Sequence, residues 1–286
     1  MARPYEQLTV AGLGVTEWPA APVQRGAPVP TVLGVHGLTS TAWVWTHLAD
    51  ELPGHRIIAP DLRGRGRSAG LPGPSGLRAH AKDVAAVVEQ LDLRDLVVVG
   101  HSMGAFLAPM VAQELGDRVT RLVLVDGGPR PALPAVVTRS VTRLAFRSKL
   151  KKLEKDYPSP EAFVDRIGKK LIANRPDLRA ALIDVLDHDL VQGPKGYRAL
   201  MDTERCLDDA VDCFFNPEVQ QAFLGVTVPA HLIAASAGEG DKAKAFLSDA
   251  VVDGAVRQVR TLTAERVTAN HLTMLWLPEI AKAVAG

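Results

Sequence analysis

The stretch VGHSMG at residues 99–104 fits the pattern G-x-S-x-G, with Ser102 at its centre. It continues an apolar run at 96–99 and directly precedes a helical pattern at 105–115. A turn this tight from strand to helix requires small residues two before and two after the serine. The serine is then held in a strained conformation, with its hydroxyl above the sheet and near a helix N-terminus that favours negative charge. The stretch therefore predicts that Ser102 is a nucleophile.

Short apolar runs alternate with longer helical stretches on both sides of Ser102. The runs lie at 31–35, 56–59, 96–99 and 122–125, and the helical stretches at 42–52, 78–91 and 105–115. The second helical stretch carries apolar residues at helical spacing from Ala81 to Leu91. Continuous apolar runs suit strands that are buried on both faces of a parallel sheet. The alternation predicts an α/β fold with helices on both sides of the sheet.

The alternation stops after Pro129. Residues 131–224 contain no convincing β run, and prolines divide them into helices. β character returns at 230–234 and 256–262, and a last helix is expected at 278–284. A leading hairpin is expected within the first 30 residues. We therefore expect a core domain made of residues 1–129 and 226–286, with a helical cap, residues 130–225, inserted into it.

Composition excludes several classes of protein. Hydrophobic residues make up 47% of the 286 residues, and 33 Lys and Arg against 32 Asp and Glu give a net charge of +1. This balance disfavours a nucleic-acid or anionic-membrane binder. No apolar run approaches the ~18 residues of a membrane span, and residues 1–10 lack the apolar centre of a signal peptide. We expect a cytoplasmic monomer or homodimer that acts on a small molecule, with Cys206 and Cys213 as free buried thiols.

A second stretch, VHGL at residues 35–38, ends an earlier predicted strand. Acyl transfer requires two preorganised N–H donors for the oxyanion of the tetrahedral intermediate. We expect the backbone N–H groups of Leu38 and Met103 to supply them. His36 precedes the nucleophile and is expected to stabilise the turn.

At these stretches the chain resembles the α/β-hydrolase superfamily, in its serine esterase and lipase-like branch. The resemblance rests on residues 36–37, 61–68 (DLRGRGRS), 100–104, 126–128 and 270–271. It implies a mostly parallel sheet of about eight strands, with helices on both faces and an inserted helical cap. It implies neither a cofactor nor a metal. The chain departs from close relatives at Ala105, where they often have a second glycine.

The resemblance also implies the order nucleophile, acid, histidine for the catalytic triad. The base must then be His188, His231 or His271. His271 is favoured because it follows the last strand in a loop before the last helix. His188 lies in the insertion, and His231 lies inside a predicted strand.

The acid is less clearly defined by the sequence. The family places it in the loop after the seventh strand, three residues past a glycine, which here is Asp241 after Gly238. Glu239 in the same loop is an alternative. Asp126, after the sixth strand, is another, because a minority of relatives have the acid there.

Aromatic residues near the predicted site are candidates for the substrate pocket. Trp43 and Phe106 are favoured because they closely follow the oxyanion stretch and the serine. The candidates are Leu38, Trp43, Trp45, Phe106, Phe146, Phe214, Phe215 and Trp276. The cap opens with a basic face on which Arg139, Arg143 and Arg147 are four residues apart. It is either a solvated surface or a site that attracts an anionic substrate.

These residues predict a hydrolase that cleaves a carboxylic ester or lactone of a small or medium apolar substrate through an acyl-enzyme. A carboxylate nucleophile would be needed by dehalogenases and epoxide hydrolases, and Ser102 disfavours both. A thioesterase, a C–C bond hydrolase and a cofactor-free perhydrolase share the triad and stay open. A non-catalytic small-molecule receptor is the alternative outside enzymes.

Overall fold

The computed structural model describes residues 3–22, 29–131 and 133–286. Strands are numbered along the chain, and in these residues eight of them form one sheet, whereas the seventh and eighth form a separate pair. The order across the large sheet is first, second, fourth, third, fifth, sixth, ninth, tenth. They are β1 (Glu6–Val10), β2 (Leu13–Trp18), β3 (Thr31–Val35), β4 (Arg56–Pro60), β5 (Leu96–His101), β6 (Val119–Val125), β9 (Ala230–Ala235) and β10 (Leu262–Val267). From β4 to β10 neighbouring strands run parallel, and β2 is antiparallel to both β1 and β4. The predicted leading hairpin and mostly parallel sheet are confirmed.

Both faces of the sheet are buried. Val98 and Leu124 point into one apolar cluster, while their chain neighbours Val99 and Val125 point into a second cluster on the opposite face. This alternation follows from the two-residue period of a strand, and it explains why these strands are apolar throughout. The helices are α1 (Thr46–Glu51), α2 (Leu77–Gln90), α3 (Met103–Leu115), α4 (Arg139–Leu150), α5 (Pro160–Phe163), α6 (Arg179–Asp187), α7 (Thr203–Phe215), α8 (Pro217–Leu224), α9 (Asp249–Gln258) and α10 (Pro278–Ala285). Residues of α2 and α3 contribute to the first cluster, and residues of α1 and α10 to the second. The expected helices on both faces are therefore present.

The segment between β6 and β9 contains α4 to α8, as expected for a helical insertion. It also contains a two-stranded antiparallel sheet, β7 (Leu190–Gly193) with β8 (Gly196–Ala199), where only helices were expected. Sequence patterning misses these strands because they are four residues long and have no fully buried position. We call residues 130–225, which contain these helices and strands, the inserted segment.

The last strand lies later in the chain than predicted. Residues 249–258 form α9, and β10 begins only at Leu262, whereas β character was expected at 256–262. β10 is at the edge of the sheet and carries the exposed residues Glu265 and Arg266, so it has no continuous apolar run. The final helix is confirmed at Pro278–Ala285.

The inserted segment packs on the loop that follows β4. Gly66 N–H donates to the carbonyl of Leu200 at 2.9 Å, and Asp202 N–H donates to the carbonyl of Gly64 at 2.7 Å. These bonds join the segment to the loop at residues 61–68, next to the end of β3. Across the described ranges, no helix is both long enough and apolar enough to cross a bilayer.

Candidate active site

The turn between β5 and α3 holds Ser102 in an unusual backbone conformation, with φ 54° and ψ −117°. Two glycines make this turn possible. A Cβ atom on Gly104 would lie 2.0 Å from the carbonyl oxygen of Val35, and one on Gly100 would lie 2.2 Å from the carbonyl oxygen of Gly104. Any side chain at either position would therefore force the strand and the helix apart. Strain of this kind is typical of functional sites.

Ser102 is the first member of a hydrogen-bonded relay. His271 Nε2 lies 3.0 Å from Ser102 Oγ, and His271 Nδ1 lies 2.6 Å from Asp126 Oδ2. Asp126 is fully buried directly after β6, and its Oδ1 also accepts the N–H of Ala235 at 3.1 Å. A carboxylate at Nδ1 keeps the proton on that nitrogen and leaves Nε2 free to accept the serine proton.

The structure contradicts the expected contact between Asp241 and His271. Asp241 Oδ1 accepts a hydrogen bond from Asn270 Nδ2 at 2.8 Å, and Oδ2 accepts the N–H of Asn174 at 3.2 Å. Of the two alternatives, Glu239 is exposed and pairs with Lys149 at 3.0 Å. The third candidate, Asp126, is the carboxylate that contacts His271. Its strand, β6, lies next to β5, so Asp126 and Ser102 follow neighbouring strands at the same edge of the sheet.

The loop after β3 packs directly against the serine. A Cβ atom on Gly37 would lie only 3.4 Å from Cβ of Ser102. Among the described residues, no acceptor takes the backbone N–H of Leu38 or of Met103, the two expected oxyanion donors. Both residues flank Ser102, one from the β3 loop and one from the first turn of α3.

Comparison with known proteins points to the same fold. A sequence model of the alpha/beta hydrolase fold matches residues 30–163. Lipase LipV of Mycobacterium tuberculosis is 34% identical over 177 residues, which are 61% of this chain and 63% of the lipase. A non-heme haloperoxidase of Rhodococcus erythropolis is 46% identical over 97 residues, 33% of this chain and 35% of the haloperoxidase. The chain thus spans less than two thirds of the length of these curated relatives.

The crystal structure of E-2-(acetamidomethylene)succinate hydrolase has the same fold. It superposes with a TM-score of 0.77 at 20% identity, and the match covers 99% of this chain and 97% of that one. The sequence model and this superposition show that the chain has the α/β-hydrolase fold. The relatives with sequence similarity include a lipase and an esterase, which supports a hydrolase.

In the described residues, His36, His188 and His231 make no hydrogen bond to Ser102. His36 is buried and bridges two loops, because Leu62 N–H donates to its Nε2 at 2.9 Å and its Nδ1 lies 2.7 Å from the carbonyl of Gly37. Burial lowers the pKa of His36 to about 3, so the ring is neutral. His188 stacks on Trp43, and His231 contacts Thr263 and Glu265. The expected turn-stabilising position of His36 matches these contacts.

Two residues beside the relay fix the backbone of His271. His101 Nε2 donates to the carbonyl of His271 at 2.9 Å. Burial, together with the nearby His271, lowers the pKa of His101 to about 3. Asn270 is fully buried, and its Oδ1 accepts the N–H groups of Leu272 and Thr273 at 3.0 and 2.9 Å. Sequence reasoning named Asn270 only as part of the stretch 270–271. Its position directly before the expected base was the signal for this supporting role.

The expected pocket residues separate into two groups. Phe106 and Phe146 both contact Phe214, with ring centroids 6.0 and 6.2 Å apart. Phe246, which sequence reasoning missed, joins this cluster and lies 5.5 Å from the ring of His271. We call Phe106, Phe146, Phe214 and Phe246 the phenylalanine cluster.

Trp43, a favoured candidate for the pocket, does not belong to the phenylalanine cluster, and its place in a substrate pocket stays a prediction. Its ring stacks on His188 at 3.4 Å and meets Tyr5 and Trp18 edge-on. The short 3-10 helix Ala42–Trp45 turns it toward the opposite face of the sheet from Phe106.

The basic face of α4 is paired within the inserted segment. Arg143 contacts Glu204 at 2.6 Å and also Asp208, and Arg147 contacts Glu204 at 2.7 Å. These ion pairs tie α4 to α7 and neutralise much of the charge that was considered for an anionic substrate. In the part of the chain that the structure describes, no three His, Cys, Asp or Glu side chains form a metal site.

Proposed function

We propose that this α/β hydrolase cleaves carboxylic esters or lactones of small or medium apolar substrates, with Ser102 as the nucleophile, His271 as the base and Asp126 as the acid. The observation that carries the proposal is the unbroken series of contacts from Ser102 Oγ through His271 to Asp126, at 3.0 and 2.6 Å. A serine hydroxyl is a weak nucleophile until an adjacent base accepts its proton.

The reaction proceeds in two halves. Ser102 Oγ bonds to the carbonyl carbon while His271 Nε2 takes its proton, and the carbonyl oxygen becomes an oxyanion. The N–H groups of Leu38 and Met103 stabilise that charge. The tetrahedral intermediate collapses, the C–O bond to the alcohol breaks, and His271 gives its proton to the leaving oxygen. Water then attacks the acyl-enzyme in the same way, and Ser102 recovers its proton as the acid leaves.

The phenylalanine cluster supports an apolar substrate. It extends from α4 and α7 of the inserted segment down to the ring of His271, so an apolar acyl or alcohol group has aromatic surface beside the reacting carbon. We propose that the inserted segment, residues 130–225, is a cap that excludes water and selects the substrate. The lipase and esterase names of two relatives support an ester substrate, and the haloperoxidase name keeps perhydrolysis as the second candidate.

The test measures turnover of p-nitrophenyl esters of graded chain length, with lactones and acyl-CoAs in parallel. Ser102→Ala and His271→Ala should each lower kcat by at least about 10⁴-fold, because nucleophile and base act as one unit. Ser236→Ala is the matched control, since Ser236 also follows a strand of the sheet but its hydroxyl donates to the carbonyl of Ala269 at 3.2 Å. Labelling by a fluorophosphonate should disappear in Ser102→Ala alone among the serine variants. A wild-type protein that binds esters but neither turns them over nor reacts with the probe would be a receptor instead.

A further inference from the structure

A buried ion pair joins the inserted segment to the loop after β4. Arg65 Nη1 lies 2.5 Å from Asp209 Oδ2, and the two side chains are 1% and 0% exposed. Arg65 is in the loop at 61–68, and Asp209 is on α7. The remaining polar atoms of Asp209 are satisfied, since Oδ1 accepts Gly76 N–H at 2.8 Å and Oδ2 contacts His80 Nε2 at 2.9 Å.

The charges of this pair are retained in the folded protein. Burial alone would raise the pKa of Asp209, but the hydrogen bond from His80 and the charge of Arg65 outweigh it and hold the pKa at about 2. Burying two charges is costly, and a well-packed apolar pair of similar volume is often as stable. Stability alone therefore does not explain why an arginine and an aspartate occupy this place.

The other nitrogens of Arg65 reach the two residues that flank Ser102. Its Nε donates to the carbonyl of Leu38 at 2.9 Å, and its Nη2 lies 3.9 Å from Sδ of Met103. Leu38 comes from the loop after β3, whereas Met103 begins α3 after β5. One rigid guanidinium thus contacts both residues whose N–H groups form the proposed oxyanion hole.

We propose that Arg65 is a positioning residue that sets the spacing of the oxyanion hole, and that Asp209 of the inserted segment holds Arg65 in place. This inference rests on the proposed function, because it needs Leu38 and Met103 to be the oxyanion donors. An oxyanion hole acts only when its donors lie within about 0.5 Å of the productive geometry. Arg65 donates to the carbonyl of Leu38, and so it fixes the same residue whose backbone N–H would donate to the oxyanion. Docking of α7 and the geometry of the hole are thereby coupled.

A lysine at this position could not replace the arginine. The guanidinium is a planar fork that contacts Leu38, Asp209 and the carbonyl of Arg63 at once, the last at 2.9 Å. An ammonium group is a single point at the end of a flexible chain and cannot hold all three directions. Arg65→Lys therefore keeps the buried charge but releases the carbonyl of Leu38.

The test compares Arg65→Lys, Arg65→Met and Asp209→Asn with the matched control Arg63→Lys. Arg63 lies in the same loop and pairs with Asp83 at 2.6 Å, but among the described residues it contacts neither Leu38 nor Met103. We expect each Arg65 variant to lower kcat for p-nitrophenyl esters by roughly 10- to 100-fold, with KM within about 3-fold. Affinity for a trifluoromethyl ketone, which forms an oxyanion on Ser102, should fall by the same factor as kcat/KM. The control should stay within about 3-fold of wild type.

The readouts separate positioning from folding. Circular dichroism and the thermal midpoint identify variants that fail to fold. If Arg65→Met fails to fold, Arg65→Lys and Asp209→Asn decide whether Arg65 positions the oxyanion hole. Folded Arg65→Lys with wild-type kcat and ketone affinity overturns the inference alone. A loss of the same size in Arg63→Lys also overturns it, because the effect would then belong to the loop in general. A wild-type protein without ester turnover or fluorophosphonate labelling overturns the proposed function, and this inference with it.

Discussion

Asp126→Asn tests the acid of the proposed triad, because the change preserves shape and removes charge. Asp126 Oδ1 accepts the N–H of Ala235 at 3.1 Å, while Oδ2 faces His271 Nδ1 at 2.6 Å. An asparagine would keep its oxygen on the N–H of Ala235 and turn its NH₂ group toward Nδ1. Two donors would then meet, so Nδ1 would lose its proton and Nε2 would carry it instead. In that tautomer His271 cannot accept the proton of Ser102.

The expected loss follows from this wrong tautomer and from the missing negative charge. We expect kcat for a p-nitrophenyl ester to fall roughly 10³- to 10⁴-fold, or about 4–5.5 kcal/mol of transition-state stabilisation. Asp241→Asn is the matched control, because Asp241 contacts the neighbouring Asn270 at 2.8 Å and not the histidine. It should lower kcat by less than about 10-fold. A greater loss in Asp241→Asn than in Asp126→Asn would refute the assignment.

Two further predictions concern buried titratable groups in the inserted segment. Burial raises the pKa of Asp189 to about 8, against about 4 in an unfolded chain. Between these pH values unfolding releases a proton, so the free energy of unfolding falls as pH rises. Asp189→Asn lacks this titration, and urea denaturation should show its stability relative to wild type increasing from pH 5 to 8; a constant difference would contradict the prediction. Burial also raises the pKa of Cys206 to about 11 and that of Cys213 well above its ordinary value. Both thiols should resist Ellman's reagent at pH 8 in the folded protein and react in urea, and rapid labelling without urea would count against this.

The sequence predicts most of the fold because local patterns and global structure agree there. The run at 96–99, Gly100 and Gly104 each specify the same strand, turn and helix, and the structure has them in place. The sequence could not show which face of the sheet Trp43 occupies, because its distance along the chain from Gly37 says nothing about the direction in which a 3-10 helix turns it. Phe246 gave no signal, since a lone aromatic in a loop has no periodicity.

The sequence could not identify the acid because the two candidate loops, after β6 and after β9, start at the same edge of the sheet. β6 and β9 are parallel neighbours, with Val125 paired to Ile233, so the loops after both strands start beside the histidine. Either loop carries a carboxylate at a suitable spacing. Only the backbone of Asp126, with φ 45° and its N–H bonded to the carbonyl of Ile233 at 2.8 Å, turns its side chain inward.

The two loops that could carry the acid differ in their contacts with the inserted segment. The loop after β9 is occupied by contacts with the inserted segment, because Glu239 pairs with Lys149 and Asp241 accepts the N–H of Asn174. A catalytic acid in that loop would move whenever the inserted segment moved. With Asp126 as the acid, the carboxylate is fully buried at the end of a central strand and is held by Ala235. A displacement of the inserted segment would therefore leave the charge behind His271 in place, and in the proposed coupling it would reach the chemistry through Arg65 and Asp209 instead.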